Sequence, residues 1–259
     1  MRPLLLSFML AAAPLAAQEA AVIGGWALPE GTVVTSESLS TSSMRAGRST
    51  IKGRTTDVTT TVIDSVAAGR FIRARQRLDA QDSRSTQDGR PMPRTPDPML
   101  GLWVIMERTA EGWTQRPDDW RPTPEQRDEM GPIGTMEDVE YPLQPLAVGE
   151  TFVVPDSALR QLYDGATDGP HRLTVSLDSL GTLDGAPVAY LTQEVDVHVV
   201  DEDGFGMTMD MHARIVRRLD WMLDVETVWT GPISYVFPSG GRVSGTMTMQ
   251  ISQAATLPE

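Results

Sequence analysis

The sequence predicts an all-β fold with a minor α component. The expected architecture is an antiparallel meander forming an open barrel or stacked sheets, with a Pro-rich insertion and one or two short helices. Three observations predict it. Residues 171–253 alternate apolar and polar with period 2, the mark of strands with one dry and one wet face. Short loops containing Gly recur between the alternating runs, as in Asp201-Glu202-Asp203-Gly204 and Leu183-Asp184-Gly185. Residues 51–66 are dense in β-branched side chains, which strands favour.

In chain order, Met1-Arg2 and the apolar run 4–15 read as an export signal, too short to span a bilayer. Cleavage is expected after Ala17, leaving about 240 residues, enough to bury a real core. The mature chain is expected to be soluble and periplasmic or extracellular. With no Cys, packing alone must hold the fold. A net charge of −13 argues against nucleic acid and anionic headgroup surfaces as partners. The one lysine, Lys52, reads as a solvated strand-end charge.

The expected divisions are 1–17 signal peptide, 18–80 N-terminal β unit, 81–150 Pro-rich insertion or lid, and 151–259 C-terminal β-meander. The 18–80 and 151–259 units could form one continuous domain. In 18–80 the chain should turn at Ala46-Gly47, and a three-residue loop at Ala67-Ala68-Gly69 should pair Val62 with Ala74 and Val58 with Leu78. Arg73, Arg75 and Arg77 would then face Ile63, Thr61 and Thr59 as a solvated row. Ten of the nineteen prolines fall in 81–150. Residues 81–98 read as a polar loop. Residues 102–107 and 113–116 read as a hairpin turning at Ala110-Glu111-Gly112. Thr123, Pro124 and the Gly131-Pro132 stop mark a short helix. Trp103, Trp113 and Trp120 would dock the insertion over the sheets.

Pro145-Leu146-Ala147-Val148-Gly149-Glu150-Thr151-Phe152, set ahead of the meander, resembles a segment of an uncharacterised family of exported bacterial β-rich proteins. Their shape is similar to the lipoprotein-carrier type of open half-barrel. The resemblance covers residues 141–253 and implies architecture and compartment. It transfers no catalytic residue. Residues 155–163 read as a helical turn and 164–169 as a plain loop.

In the meander, Val199, Val197 and Val195 should pair with Met207, Met209 and Met211. Leu173, Val175 and Leu177 should meet Val195, Gln193 and Leu191. After a turn at Leu219-Asp220, Arg214 should face Glu226. Ser239-Gly240-Gly241 should pair Phe237 with Val243, Tyr235 with Gly245, Ile233 with Met247 and Trp229 with Ile251.

Two constellations could carry function. On the dry face, Met207, Met209, Met211, Trp221, Trp229, Met247 and Met249 make a soft surface suited to an apolar or amphiphilic ligand, a lipid among them. On the wet face, Glu194 lies opposite His212 and Asp196 opposite Asp210, with His198 beside Asp196. Glu194, His198, Asp210 and His212 are candidate metal ligands, but the two histidines are offset too far for one tight site, and a solvated ladder is the expected reading. No nucleophile elbow, His-Glu-x-x-His or phosphate loop appears, so neither catalysis nor a cofactor is expected. The function expected is ligand binding in the cell envelope. The alternatives are a metal-dependent hydrolase built on the wet face and a purely structural or protein-interaction module. N-terminal sequencing of exported material should begin near Gln18; an intact Met1 would refute the signal.

Overall fold

Pairs of left-handed residues reverse the chain tightly enough that each strand lies beside the next. In the computed structural model, which describes residues 19–94, 96–109, 113–130, 140–156, 159, 172–200 and 204–259, Ala68-Gly69, Asp88-Gly89 and Asp184-Gly185 all have positive φ. Such two-residue turns match the natural twist of paired strands. The strands are β1 (Ala20–Ala21), β2 (Val33–Ala46), β3 (Ser49–Ala67), β4 (Arg70–Gln87), β5 (Arg90–Pro91), β6 (Trp103–Arg108) and β7 (Trp113–Pro117). A helix α1 (Pro124–Glu129) follows, capped by Thr123 in a reciprocal box with Gln126. Then come β8 (Leu146–Ala147), β9 (Thr151–Val153), β10 (Arg172–Leu183), β11 (Ala186–Val200), β12 (Gly206–Arg218), β13 (Leu223–Val236) and β14 (Arg242–Thr256).

Twelve of these strands share one antiparallel sheet, ordered β7-β6-β4-β3-β2-β14-β13-β12-β11-β10-β9 with β5 beside β4. The sheet is not closed, and β1 with β8 forms a separate two-stranded sheet. β14 pairs with β2 from Val243↔Ala46 to Thr256↔Val33. That seam joins the N-terminal β unit and the C-terminal meander into one continuous surface.

The β10–β11 and β11–β12 registers are those the sequence predicts. In the first, the turn is two residues long, and a bulge between Leu177 and Ser179 restores the expected pairing. Elsewhere the structure corrects the reading. The turn at Ala68-Gly69 also has two residues, so Val62 meets Arg75, Ile63 meets Ala74 and Thr59 meets Leu78. Residues 81–87 are the end of an 18-residue β4, paired with β3 as far as Ile51; Ser83 and Ser85 alternate with Asp82 and Arg84 as a half-wet strand requires. The β6–β7 hairpin extends the same sheet at its edge rather than lying over it. Its turn at 110–112 lies outside the described residues, as do the helix stop at 131–132, the loop 164–169, residues 201–203 and the signal 1–17. Of the helical turn expected over 155–163, Leu159 is described, its N–H donating to the Pro155 carbonyl at 3.1 Å.

Two later turns are longer than expected. Four residues, Leu219, Asp220, Trp221 and Met222, separate Arg218 from its partner Leu223, so Arg214 meets Val228 instead of Glu226. Pro238 holds the next loop open, and Val236 pairs with Arg242 across five residues. Tyr235 therefore meets Val243, Ile233 meets Gly245, Gly231 meets Met247 and Trp229 meets Met249. Each slip is two residues, and a slip of two leaves every side chain on its original face.

The main core forms where the inner face of β10–β13 is covered. Leu173, Val175, Leu177, Leu191, Val195, Val197, Met211, Ala213, Ile215 and Trp229 pack beneath Ile23, Tyr141, Leu146, Val154 and Leu159. One buried cation ties that cover to the sheet. A bulge after Val216 sets Arg217 opposite Asp224. Arg217 donates Nη1–H to Asp224 Oδ1 (2.7 Å), Nε–H to the Ile23 carbonyl (2.6 Å) and Nη2–H to the Gly25 carbonyl (3.3 Å). Its guanidinium lies 4.1 Å from the centre of the Tyr141 ring, whose hydroxyl donates to Asp224 Oδ2 at 2.7 Å. Gly24 is required beside this cluster, because a Cβ there would overlap the Pro142 carbonyl.

Removing Arg217 leaves the Asp224 carboxylate without its cation, so Arg217→Ala should cost about 3–5 kcal/mol in urea unfolding. Burial, then the Asp224 charge, pushes the Tyr141 phenol well above its ordinary 10.0. The unfolded phenol therefore loses its proton first as pH rises. Stability should fall above pH 10.0 by up to about 1.4 kcal/mol per pH unit. Tyr141→Phe should flatten that alkaline limb at a neutral-pH cost of about 1 kcal/mol.

Candidate functional site

Beyond the covered core, the inner face continues across β14, β2, β3 and the far half of β4. Here Met247, Met249, Ile251 and Gln253 of β14 are half-buried, while the intervening Thr246, Gln250 and Ser252 are exposed. Ser36, Ser38, Ser40 and Ser42 of β2 are half-buried in the same way, between exposed Thr35, Glu37, Thr41 and Ser43. At one end of these strands Trp26 and Leu28 pack with Val34 of β2 and Ala255 of β14, and Met247 and Met249 pack against the main core.

The chemistry changes sharply across one ladder. Met247 lies opposite Ser42, Met249 opposite Ser40 and Ile251 opposite Ser38. The polar wall continues on β3, where Ser40 meets Thr55, Ser38 meets Asp57 and Ser36 meets Thr59. On β4, Ser83 and Gln81 follow, with Thr55 and Ser83 hydroxyls 3.1 Å apart. The four β2 serine hydroxyls have no side-chain partner among the described residues. The result is an inner face on which a thioether and aliphatic row adjoins rows of hydroxyls that include the Asp57 carboxylate.

The structure brings most of the predicted dry-face residues to the apolar wall. Met211 and Trp229 are buried in the core, with Trp229 9% exposed, and Met209, Met247 and Met249 pack half-buried against them. Met207 sits at the turn end between Val199 and Tyr235, near the ring cluster of Phe205, Tyr235 and Phe237. Trp221 is separate. It packs with Leu28, Val34 and Leu223, under the Arg218 guanidinium 3.4 Å from its ring centre.

On the wet face, Glu194 meets His212, Asp196 meets Asp210, Arg172 meets Asp196, and His198 meets Thr208. No three His, Asp or Glu side chains converge as a metal cluster among the described residues. The β4 arginine row is fully matched by acids. Arg75 grips Asp64 with donors at 3.0–3.1 Å, Arg73 lies 3.5 Å from Glu107, and Arg77 lies 2.5 Å from Asp79. Trp103 covers Arg77 at 4.6 Å.

Two features escaped the sequence reading. Arg217 falls at an odd position of the dry face, and a cation there demands a buried acid; that parity was the available signal. The serine row was equally visible as Ser at every second position of residues 36–42.

No protein-family profile and no curated protein matches the chain. Among solved structures, one of lipovitellin described for lipid–protein interactions aligns with TM-score 0.45 and 10% identity, over 90% of this chain and 26% of that one. The chain thus spans about a quarter of the lipovitellin chain. A DUF1329 family protein from Desulfovibrio piger aligns at TM-score 0.13 and 10% identity, over 87% and 85% of the two chains. Likenesses this weak carry no conclusion about activity or ligand.

As members of an exposed ladder, His198 and His212 should each tolerate Ala within about half a kcal/mol by thermal unfolding. Stoichiometric zinc in elemental analysis, lost in those variants, would instead make the wet face a metal site.

Proposed function

We propose that the protein is an exported, non-catalytic binder of amphiphilic molecules in the cell envelope. The observation that carries this reading is the ladder at which Met247, Met249 and Ile251 face Ser42, Ser40 and Ser38. An acyl chain or other apolar body would lie along the methionine wall, where flexible thioethers adapt to shape. Its polar end would meet the Ser and Thr hydroxyls of β2 and β3. Purely apolar ligands would leave those hydroxyls dry and unpaired, at a cost per group of about 1–3 kcal/mol. The apolar run 4–15 supports export.

The test is saturable uptake of a fluorescent fatty acyl probe by the native chain. Met249→Asp should abolish uptake, since a carboxylate against the apolar wall lacks a partner. Ser40→Leu should shift preference toward fully apolar probes. Both variants must keep the native circular dichroism spectrum. Unsaturable uptake, or full uptake by folded Met249→Asp, would leave the structural-module reading in place.

A further inference from the structure

A second groove opens on the opposite, outer face, where β12, β13, β14 and β2 approach their turn end. It holds about 670 Å³ and includes Arg45, Arg242, Ser244, Thr208, Ser234 and Asp210 in its lining. Its shape follows from a crease. Pro232 has no N–H to donate, and the β12–β13 ladder breaks between Met209↔Ile233 and His212↔Thr230. Gly231 and Gly245 let the strands fold there, since a Cβ on either would overlap a backbone carbonyl of the next strand, that of Asp210 or Ser43.

The charges around this groove contrast with the matched row of Arg73, Arg75 and Arg77. Arg45 lies opposite Ser244, one wet-face step from Arg242. Lys52 and Arg54 continue the same face on β3, and Arg54 lies opposite Arg84. Of the nearby acids, Asp88 accepts the Thr50 N–H at 2.8 Å, Asp210 lines the groove, and Asp82 is engaged by Arg84 and Arg94, whose guanidinium contacts, led by the Arg84 hydrogen bond, hold its carboxyl below the usual range. Among the described residues, Arg45, Lys52, Arg54 and Arg242 have no acidic partner. The chain carries 35 acids against 22 bases, and on β4 it matches each of Arg73, Arg75 and Arg77 to one. Like charges set together on a sheet repel, so an unneutralised cluster in an acidic protein fits an anion supplied from outside.

We propose that this groove binds a phosphorylated polyol. Arg45 and Arg242 hold the phosphate, which guanidinium forks match in charge and geometry. Ser244, Ser234 and Thr208 meet the neutral part. Asp210, on the far wall, repels a second anion and accepts a hydrogen bond from a ligand hydroxyl. The ligand is therefore anionic at one end and hydroxylated at the other. A free phosphate ester and a phosphoglycerol headgroup both offer that chemistry.

The test is calorimetric titration of the full chain with glycerol 3-phosphate, inorganic phosphate and glycerol at low salt. Saturable binding of glycerol 3-phosphate, at millimolar Kd or tighter, is expected. Arg45→Gln and Arg242→Gln should each weaken it at least about tenfold, and Arg73→Gln should not. Asp210→Asn should erase its advantage over inorganic phosphate. Cosedimentation with phosphatidylglycerol vesicles, absent for phosphatidylcholine and lost in the same variants, would assign the headgroup as the source; binding of the soluble ester alone would assign the free ester. The proposal is overturned if neither binds, if inorganic phosphate binds as well as the ester to the native chain, or if the folded double variant Arg45→Gln/Arg242→Gln binds unchanged.

Discussion

One buried cation ties the cover of the main core to the sheet beneath it. Arg217 spends its donors on Asp224 and on the carbonyls of Ile23 and Gly25, and the Tyr141 ring closes over it. These contacts join three segments far apart in sequence: the chain before β2, the β12–β13 hairpin and the segment leading to β8. Backbone bonds such as Gly149 N–H to the Leu177 carbonyl (2.7 Å) and Val154 N–H to the Leu173 carbonyl (2.9 Å) hold the later covering segment to β10, and Arg217 adds the side-chain link between that segment, residues 23–25 and the hairpin. Apolar burial is non-directional and would accept many placements. A buried guanidinium with oriented acceptors accepts few, and a fully satisfied buried network of this kind can specify a unique packing. Without cysteine, the chain has no disulfide to make the same selection.

The cover ends where the sheet keeps going. A sheet whose strands reach 19 residues, about 60 Å at the usual rise, offers far more inner face than residues 19–28, 140–156 and Leu159 can seal. The composition follows that limit. Inner positions of β10–β12 under the cover are mostly Leu, Val, Ile and Ala; the inner row of β14 carries Met247, Met249 and Ile251, and that of β2 carries Ser36, Ser38, Ser40 and Ser42 between Val34 and Met44. Serine and threonine tolerate water and pack tolerably on a pleated face, so the uncovered half is stable without being dry. The open sheet also has two edges to protect. β9 has three residues and β7 five, and short edge strands give little template for another chain.

The sequence made the faces legible and the turns illegible. Parity survives any slip of two, so Met209, Met211 and Met247 were assignable to the inner face even where the β13–β14 register was not. Turn length was the weak point, because Ala67-Ala68-Gly69 and Ser239-Gly240-Gly241 admit loops of several lengths. Ala68 takes positive φ beside Gly69, a conformation a Cβ disfavours, and Pro238 lies in the longer later loop. Residues 81–87 read as a loop because their alternation is Ser and Gln against Asp and Arg. Period 2 is hard to see when both faces are polar. The serine row of β2 was missed for the same reason, since such a row is invisible to a search for apolar alternation.

Charge placement gives the outer face its own logic, independent of the inner one. Arg73, Arg75, Arg77 and Arg116 each lie against an acid, and such exposed pairs contribute little to stability while removing local fields. Across β10–β12 the wet face carries Glu194, Asp196 and Asp210 together with Arg172 and Arg214; across β14, β2 and β3 it carries Arg242, Arg45, Lys52 and Arg54, with Glu37 further along β2. Bases set side by side without acids, as near the turn end of β14 and β2, repel one another. The crease at Gly231-Pro232 and Gly245 lies where the two regions meet, with Asp210 on one wall and Arg45 and Arg242 on the other. A glycine whose Cβ would overlap backbone is needed for that bend, and so is a proline that breaks the ladder. The same few residues therefore set the bend of the inner face and the polarity of the outer groove, which makes the crease the point where the two faces are mechanically coupled.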